Sequence, residues 1–146
     1  MVIVAAIDRS DRSNAIVREA ARLGEAFDEP VEVVHVLTRE EFVSLERTNV
    51  SETGEAVPVE GVVETAEGIA EEAIGRAGVT ATAVGLLGDP ADEIVEHAHD
   101  RDARYVVVAG RKRSPVGKAL FGSVVQSVLL GAECPVVSLR TEADED

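Results

Sequence analysis

The chain has 146 residues and a formal net charge of −14, from 28 acidic and 14 basic residues, and 45% of its residues are hydrophobic. This length suits one ordinary domain, and the hydrophobic content argues against an acidic disordered chain. Binding to nucleic acid or to an anionic membrane is not expected, because the chain has no general excess of Lys or Arg. We also expect neither a membrane span nor a signal peptide, since the first apolar run ends at Asp8. The single cysteine, Cys134, predicts a reducing cytoplasm.

The acidic surplus favours a halophilic source, which we predict to be an archaeon. The only lysines are Lys112 and Lys118, and the chain ends in an acidic tail at residues 141–146. A domain this acidic repels itself at low ionic strength, as halophilic proteins do. The alternative is an acidic surface that serves only to keep the protein in solution.

The first part of the chain predicts two strands: residues 1–7 are a short, continuous apolar run rich in Val and Ile, and residues 31–37 form the second strand. Capping residues at 10–13 begin a helix between them. Residues 38–58 are charged and weakly patterned, apart from a possible short helix at 40–46. We interpret this stretch as a mobile cover over a site, because unstructured segments of that length are unusual in compact domains.

Strands and helices continue to alternate in the second part of the chain. We predict helices at 62–77, 90–100 and 124–130, strands at 79–87, 105–109 and 135–139, and a loop at 110–121. The third helix begins at Asp89-Pro90, a capping residue followed by proline at the first helical position. Such alternation predicts a parallel sheet in an α/β, doubly wound fold, with one domain at residues 1–140.

A ligand site is expected where the order of the strands reverses. If the first and fourth strands are neighbours, residues 7–10 and 109–123 meet there. The second segment has four of the chain's cations, no acid, and a helix start at Gly122-Ser123. Cations, glycines and a helix N-terminus together favour a phosphate. Alternatively, Ser123 and Gln126 form a capping box and the loop is solvated or contacts a partner subunit.

Several segments together resemble the universal stress protein family. They are Val4 to Ser10, Gly88-Asp89-Pro90, Val106 to Ser123 and Cys134 to Val137. The resemblance implies a five-stranded parallel sheet with helices on both faces, similar to the adenine nucleotide alpha hydrolase fold, with strand order 3-2-1-4-5. It also implies a homodimer that forms through the last strand, at residues 134–140.

The resemblance implies ATP or AMP as ligand, with Mg²⁺ accompanying the phosphates. One branch of the family binds these nucleotides through Gly-x-x-Gly, nine further residues, and Gly followed by Ser or Thr. The end of that motif matches Gly122-Ser123, but Ala109 and Lys112 stand where the early glycines would be. Gly110 replaces the first glycine only if the alignment slips by one residue.

Transferred position by position, the family's site predicts a role for each matching residue. Asp8 would contact the ribose or adenine side of the nucleotide, or would cap the first helix alongside Ser10. Ile7 and Val36 would line the adenine pocket, partly through their backbone. The residues that would surround the phosphates are Ala109, Gly110, Lys112, Gly122, Ser123 and Val124.

The histidines and the cysteine receive structural interpretations. His97 and His99 are two apart on a helix, so they point to different faces, and we expect solvated surface histidines rather than a metal site. We interpret His35 as a hydrogen-bonded strand residue rather than a general base. Cys134 is interpreted as a buried, inert thiol.

The predicted function is that of a universal stress protein, an adenine-nucleotide-binding homodimeric regulator in the stress response. The alternative is a family member that has lost nucleotide binding and acts through protein contacts, which Ala109 and Lys112 favour. A slow ATPase is the third hypothesis. We predict binding rather than turnover, because no nucleophile–base pair and no Walker ending are present.

Overall fold

The computed structural model describes residues 1–44, 47, 59–110 and 122–140. Strands and helices alternate along these residues. They are β1 (Val2–Ile7), α1 (Arg12–Phe27), β2 (Val31–Leu37), α2 (residues 39–44), α3 (Val59–Ala77), β3 (Thr82–Leu87), α4 (Pro90–Asp100), β4 (Ala103–Gly110), α5 (Ser123–Gly131) and β5 (Val136–Arg140). Most of the predicted cover at 38–58, the cationic loop at 111–121 and the acidic tail lie outside the described residues.

The five described strands form one sheet in the order β3-β2-β1-β4-β5, and every pairing is parallel. Ile7 is paired with His35 of β2, and Ala5 is paired with Val107 of β4. The predicted fold class and strand order are therefore confirmed. Because β1 lies between β2 and β4, the order of the strands reverses at β1 and β4, where a ligand site is expected.

The sheet is covered on both faces, which explains why β1 is a continuous apolar run and why β2 is apolar apart from Glu32 and His35. Ile3, Ala5 and Ile7 pack with α1 and α3, whereas Val4 and Ala6 pack with α4 and α5. All residues of β1 and β2 are buried. Side chains packed on both faces of the sheet therefore hold the carboxyl ends of the central strands in place.

Strand bounds differ from the predicted ones because pairing with neighbours sets them. β3 begins at Thr82 rather than at 79, since its first partner is Glu32 near the start of β2. β4 begins at Ala103, which pairs with Val2 before a register irregularity. At its other end, β4 continues to Gly110, which pairs with Arg140 of β5.

The start of α5 corrects one sequence interpretation. The N-cap residue of α5 is Gly122, which has an extended backbone, and no side chain makes a capping hydrogen bond. The Gln126 amide donates to the Gly122 carbonyl at 3.0 Å, so the N-cap lies one residue before Ser123, the N-cap that the proposed capping box requires. The Ser123–Gln126 interpretation is wrong, because Ser123 is already the first helical residue.

Candidate functional site

A cleft of about 300 Å³ opens at the carboxyl ends of β1, β2 and β4. This is the end of the sheet at which the strand order reverses. Five of the residues predicted to form the site line it together: Ile7, Asp8, Val36, Ala109 and Val124. The topology therefore brings residues that are up to 117 positions apart to one place, while their part in ligand binding stays a prediction.

Three other predicted site residues that the structure describes, Gly110, Gly122 and Ser123, are not among those that line the cleft. Gly110 is the last residue of β4 and pairs with Arg140 of β5. Gly122 is the N-cap residue of α5, and Ser123 is exposed on the first turn of that helix. Lys112 lies outside the described residues. The N-terminal turn of α5 nevertheless reaches the cleft through Val124 and Val125.

Asp8 is held in a tight turn between β1 and α1. Its Oδ1 accepts a hydrogen bond from the Ser10 amide at 2.8 Å, and its Oδ2 accepts one from the Arg12 guanidinium at 3.1 Å. The Ser13 hydroxyl donates to the Asp8 carbonyl at 2.6 Å, and the Ser10 hydroxyl accepts from the Arg12 amide at 3.2 Å. Asp8 and Ser10 thus order the start of α1, whose N-cap residue, Asp11, makes no side-chain cap.

The Asp8 carboxylate stays ionised in this environment. Partial burial by itself would raise the pKa of Asp8, but the hydrogen bonds from Ser10 and Arg12 and the positive charge of Arg12 outweigh it. The pKa of Asp8 is therefore below its ordinary value. The Asp8 side chain remains 57% exposed, so its carboxylate is available as a charged acceptor for hydroxyl or amino donors of a ligand.

The rim beside β2 contains polar residues that the sequence interpretation missed. Thr38 and Glu41 form a capping box: the Glu41 amide donates to the Thr38 hydroxyl at 3.1 Å, and Glu41 Oε1 accepts from the Thr38 amide at 3.2 Å. Arg9 lies 3.7 Å from Glu41. The spacing Thr-x-x-Glu is a recognisable helix start and would have placed these side chains beside the end of β2.

His35 is buried at the base of the cleft, with 4% of its surface exposed. Its Nδ1 lies 3.2 Å from the carbonyl oxygen of Ile7, which confirms the prediction of a hydrogen-bonded strand residue. Burial lowers the pKa of His35, and Arg9 acts in the same direction, while the Ile7 carbonyl and the carboxylates of Glu41 and Asp8 oppose it. The net result is a lowered pKa, so the ring is neutral at neutral pH.

Two other predictions about side chains need correction. His97 is not a solvated surface residue: its Nε2 lies 2.8 Å from Glu32 Oε1, and only 15% of its side chain is exposed. The packing of α4 near the start of β2 causes this burial. Cys134 is partly rather than fully buried, and burial raises the pKa of its thiol. His99 is exposed as expected, although it pairs with Glu133 at 2.6 Å.

The cleft combines apolar walls with balanced charge. Ile16, Ile94 and Val108 are among its apolar lining residues, and the charged lining residues in the described part of the chain are Asp8, Arg9, Arg12 and Glu41. Apolar walls suit a planar base, and carboxylates suit hydroxyl donors. The first amide groups of α5, which have no acceptor within the helix, are available to an anion at the same opening.

A parallel, doubly wound sheet with a ligand cleft at its switch point defines a class of α/β proteins that includes many nucleotide binders. The profile of the Universal stress protein family matches residues 1–140, and the chain belongs to this family. Within the part of the chain that the structure describes, no helix has both the length and the apolar character needed to cross a membrane.

Three similar proteins illustrate the relationship. A universal stress protein of Methanocaldococcus jannaschii is 30% identical, over 98% of this chain and 84% of its own length. The solved structure of a universal stress protein from Archaeoglobus fulgidus is 34% identical, covers 94% of this chain and 97% of its own, and has a TM-score of 0.59. Another structure from Archaeoglobus fulgidus, in complex with dAMP, is 28% identical, covers 94% and 96%, and has a TM-score of 0.62.

Proposed function

We propose that this protein binds an adenine nucleotide in the cleft and acts as a regulator in the stress response, by binding rather than by turnover. The observation that supports this most directly is the convergence of apolar walls, an ordered Asp8 carboxylate and the start of α5 at one opening. The Archaeoglobus relative whose structure contains dAMP shares the fold over 94% of this chain.

Each part of the cleft suits one part of the nucleotide. Ile7 and Val36 border the region proposed for adenine, and Asp8 lies within reach as a hydrogen-bond acceptor for the ribose or the base. The amides at the start of α5, beside Ser123 and Val124, would receive the phosphates. The two early glycines of the family motif are missing here, so the proposal for phosphate contacts from Ala109 and Lys112 rests on the sequence.

The proposal includes a finer choice between AMP and ATP. Among the described residues, the charged groups that line the cleft are two carboxylates and two guanidinium groups, so these residues supply no net positive charge for a triphosphate. A triphosphate would therefore need Mg²⁺ and the cations of residues 111–118. AMP needs less compensation, and we propose it as the ligand bound without metal.

We further propose a homodimer that forms through residues 134–140. β5 is an edge strand of the described sheet, and its described strand neighbour is β4. Its apolar residues are only partly buried, and Val137 and Leu139 pack on the side of α1. An edge strand with unpaired backbone groups can pair with a second copy about a two-fold axis. With a single cysteine and so no internal disulfide, the cytoplasm remains the proposed compartment.

The ligand is identified by releasing small molecules from the purified protein with heat and determining their masses by mass spectrometry. The protein is prepared in 2 M KCl, and AMP, dAMP and ATP with and without Mg²⁺ are then titrated by calorimetry. We expect AMP and dAMP to bind below millimolar concentration. If no adenine nucleotide binds at millimolar concentration, the nucleotide proposal is refuted and the protein-contact alternative is favoured.

Paired variants place the ligand in the cleft. Val124→Trp should fill the opening and weaken AMP binding more than tenfold, whereas Leu130→Trp, on the exposed side of the same helix, should leave it unchanged. Asp8→Asn removes the charged acceptor and should weaken binding about tenfold, while the neighbouring Asp11→Asn serves as its control. Thermal unfolding of all four variants checks that the fold is intact. Equal affinities within each pair would contradict the cleft as the site.

A further inference from the structure

Two ion pairs line the cleft, and they differ in how firmly each cation is held. The Arg12 guanidinium donates a hydrogen bond to Asp8 at 3.1 Å, and 16% of the Arg12 side chain is exposed. The Arg9 guanidinium lies 3.7 Å from Glu41, which is longer than a hydrogen bond, and 58% of the Arg9 side chain is exposed. Exposed ion pairs of this kind contribute little stability, so Arg9 is the more loosely held of these two cations.

The charge of Arg9 acts within the cleft. Arg9 follows Asp8 at the carboxyl end of β1, and its partner Glu41 lines the same cleft from α2. Burial is the main cause of the lowered pKa of His35 at the base of the cleft, and the positive charge of Arg9 acts in the same direction. The Arg9 guanidinium is therefore close to the cleft as well as accessible. Its flexible stem lets the guanidinium turn to a bound group while the backbone stays in place.

A phosphate in this cleft needs a cation that can change partners. A phosphate monoester carries about two negative charges at neutral pH, whereas the charges of the described lining residues balance. The start of α5 offers backbone amides, but the early glycines of the family motif are replaced at Ala109 and Lys112. A guanidinium binds a phosphate through two parallel hydrogen bonds, which is more than Arg9 has with Glu41.

We infer that Arg9 leaves Glu41 to bind the phosphate of the nucleotide, and that Glu41 competes with this phosphate for the guanidinium. This rests on the proposed function, since it concerns the same nucleotide. Arg9 follows β1 and α5 follows β4, so two neighbouring strands bring both groups of donors to one opening. Glu41 lowers the affinity, because it holds Arg9 in the free protein and loses this partner in the complex. The cleft should therefore prefer nucleotides to nucleosides because of Arg9.

The test compares AMP with adenosine, which has no phosphate, by calorimetry. Arg9→Gln should weaken AMP binding about tenfold and leave adenosine binding within about twofold. Arg9→Lys should retain part of the AMP affinity, since lysine keeps the charge but not the two parallel hydrogen bonds. Arg18→Gln, an exposed arginine of α1 that does not line the cleft, serves as the control and should change neither affinity. Unchanged AMP binding in Arg9→Gln, or equal weakening of AMP and adenosine, would overturn the inference.

Glu41→Gln should have the opposite effect on AMP. The glutamine amide oxygen can still accept the hydrogen bonds from Thr38, so the capping box is retained while the charge is removed. AMP should bind about threefold more tightly and adenosine equally well, whereas the exposed Glu40→Gln should change neither affinity. The gain should disappear in the Arg9→Gln background. Weaker AMP binding in Glu41→Gln, or a gain of equal size without Arg9, would contradict the competition.

These titrations are run in 0.5 M KCl, because higher salt screens the charges that they compare, and thermal unfolding checks each variant. Nitrogen NMR of the unmodified protein gives a second readout. The Nε resonance of Arg9 is assigned in ¹⁵N-arginine-labelled protein by its loss in Arg9→Lys. AMP should shift this resonance and adenosine should not. No shift with saturating AMP overturns the inference but leaves the proposed function standing. If AMP itself does not bind, the proposed function and this inference both fail.

Discussion

Gly85 is the position where a single methyl group should do the most damage to the scaffold behind the site. It lies within β3, on the face covered by α3. A Cβ atom at this position would lie closer than 3.0 Å to the Val63 carbonyl oxygen and the Glu67 amide nitrogen. These are backbone atoms of a helix, so no rotamer change relieves the overlap, and α3 must move away from the sheet in Gly85→Ala.

The cost follows from what α3 buries. Val62, Ala66 and Ala70 of this helix are fully buried, and they lose packing when the helix retreats. Overpacked cores cost about 1–3 kcal/mol, and we expect about 3 kcal/mol here because backbone is in the way. For a chain of this length, this should lower Tm by about 6–12 °C.

The assay is urea unfolding followed by circular dichroism in 2 M KCl, together with thermal scans. Gly68→Ala is the matched control, since Gly68 lies within α3 and a Cβ there meets no atom within 4 Å. That variant should stabilise the protein by about 0.5–1 kcal/mol, because alanine suits a helix interior better than glycine. A Gly85→Ala variant that unfolds at the wild-type midpoint, or equal effects of the two substitutions, would contradict a steric clash between β3 and α3.

Three further predictions concern charge, salt and helix capping. Burial alone would raise the pKa of Glu32, but hydrogen bonds from Arg101 and His97 lower it in the folded protein. The ionised Glu32 therefore stabilises the fold fully above its ordinary pKa of 4.5, and this stability should be lost as the pH falls through the lower pKa of the folded state. Glu32→Gln should flatten this loss in thermal scans from pH 6 to 3, and the exposed Glu25→Gln should not. Tm should rise steeply from 0.1 to 2 M KCl, because salt screens the net charge of −14, and a flat profile would contradict the halophilic interpretation. Asp89→Ala should lower the free energy of unfolding by about 1 kcal/mol, because the Asp89 side chain accepts a hydrogen bond from the Asp92 amide at 3.1 Å. Ser123→Ala should lower it by less than about 0.5 kcal/mol, because Ser123 does not cap α5. Similar losses in the two variants would show that Ser123 does cap α5.

The scaffold could be predicted because its signals are local and repeated. The buried run Val2–Ile7 is apolar on both faces, as a covered parallel strand requires, and Val31–Leu37 is buried throughout and apolar apart from Glu32 and His35. Asp89 and Pro90 likewise begin α4 where capping chemistry places it. The predicted strand boundaries were less accurate, as at the start of β3 at Thr82. Pairing with the neighbouring strand sets where a strand begins and ends, and the residues of the strand itself do not indicate that pairing.

The candidate site was predictable only in part. Asp8 follows from the rule that ligands bind at carboxyl strand ends, Val36 follows from the resemblance to the family, and the structure places both in the cleft. The contribution of Arg12 depends on how the turn after β1 folds, and no sequence pattern marks it, whereas Glu41 could have been found from its capping-box spacing with Thr38. The burial of His97 against Glu32 joins residues 65 positions apart, which only packing brings together.

The order of apolar and capping residues along the chain was sufficient to determine a five-stranded parallel sheet with helices on both faces, because hydrophobic period and backbone capping act over a few residues at a time. Tertiary packing decided which polar groups join Asp8 around the cleft, and that His35 turns Nδ1 toward Ile7 and leaves Nε2 buried. The reason is that burial and hydrogen-bond partnership are properties of neighbours in space, and those neighbours come from strands and turns that are distant along the chain.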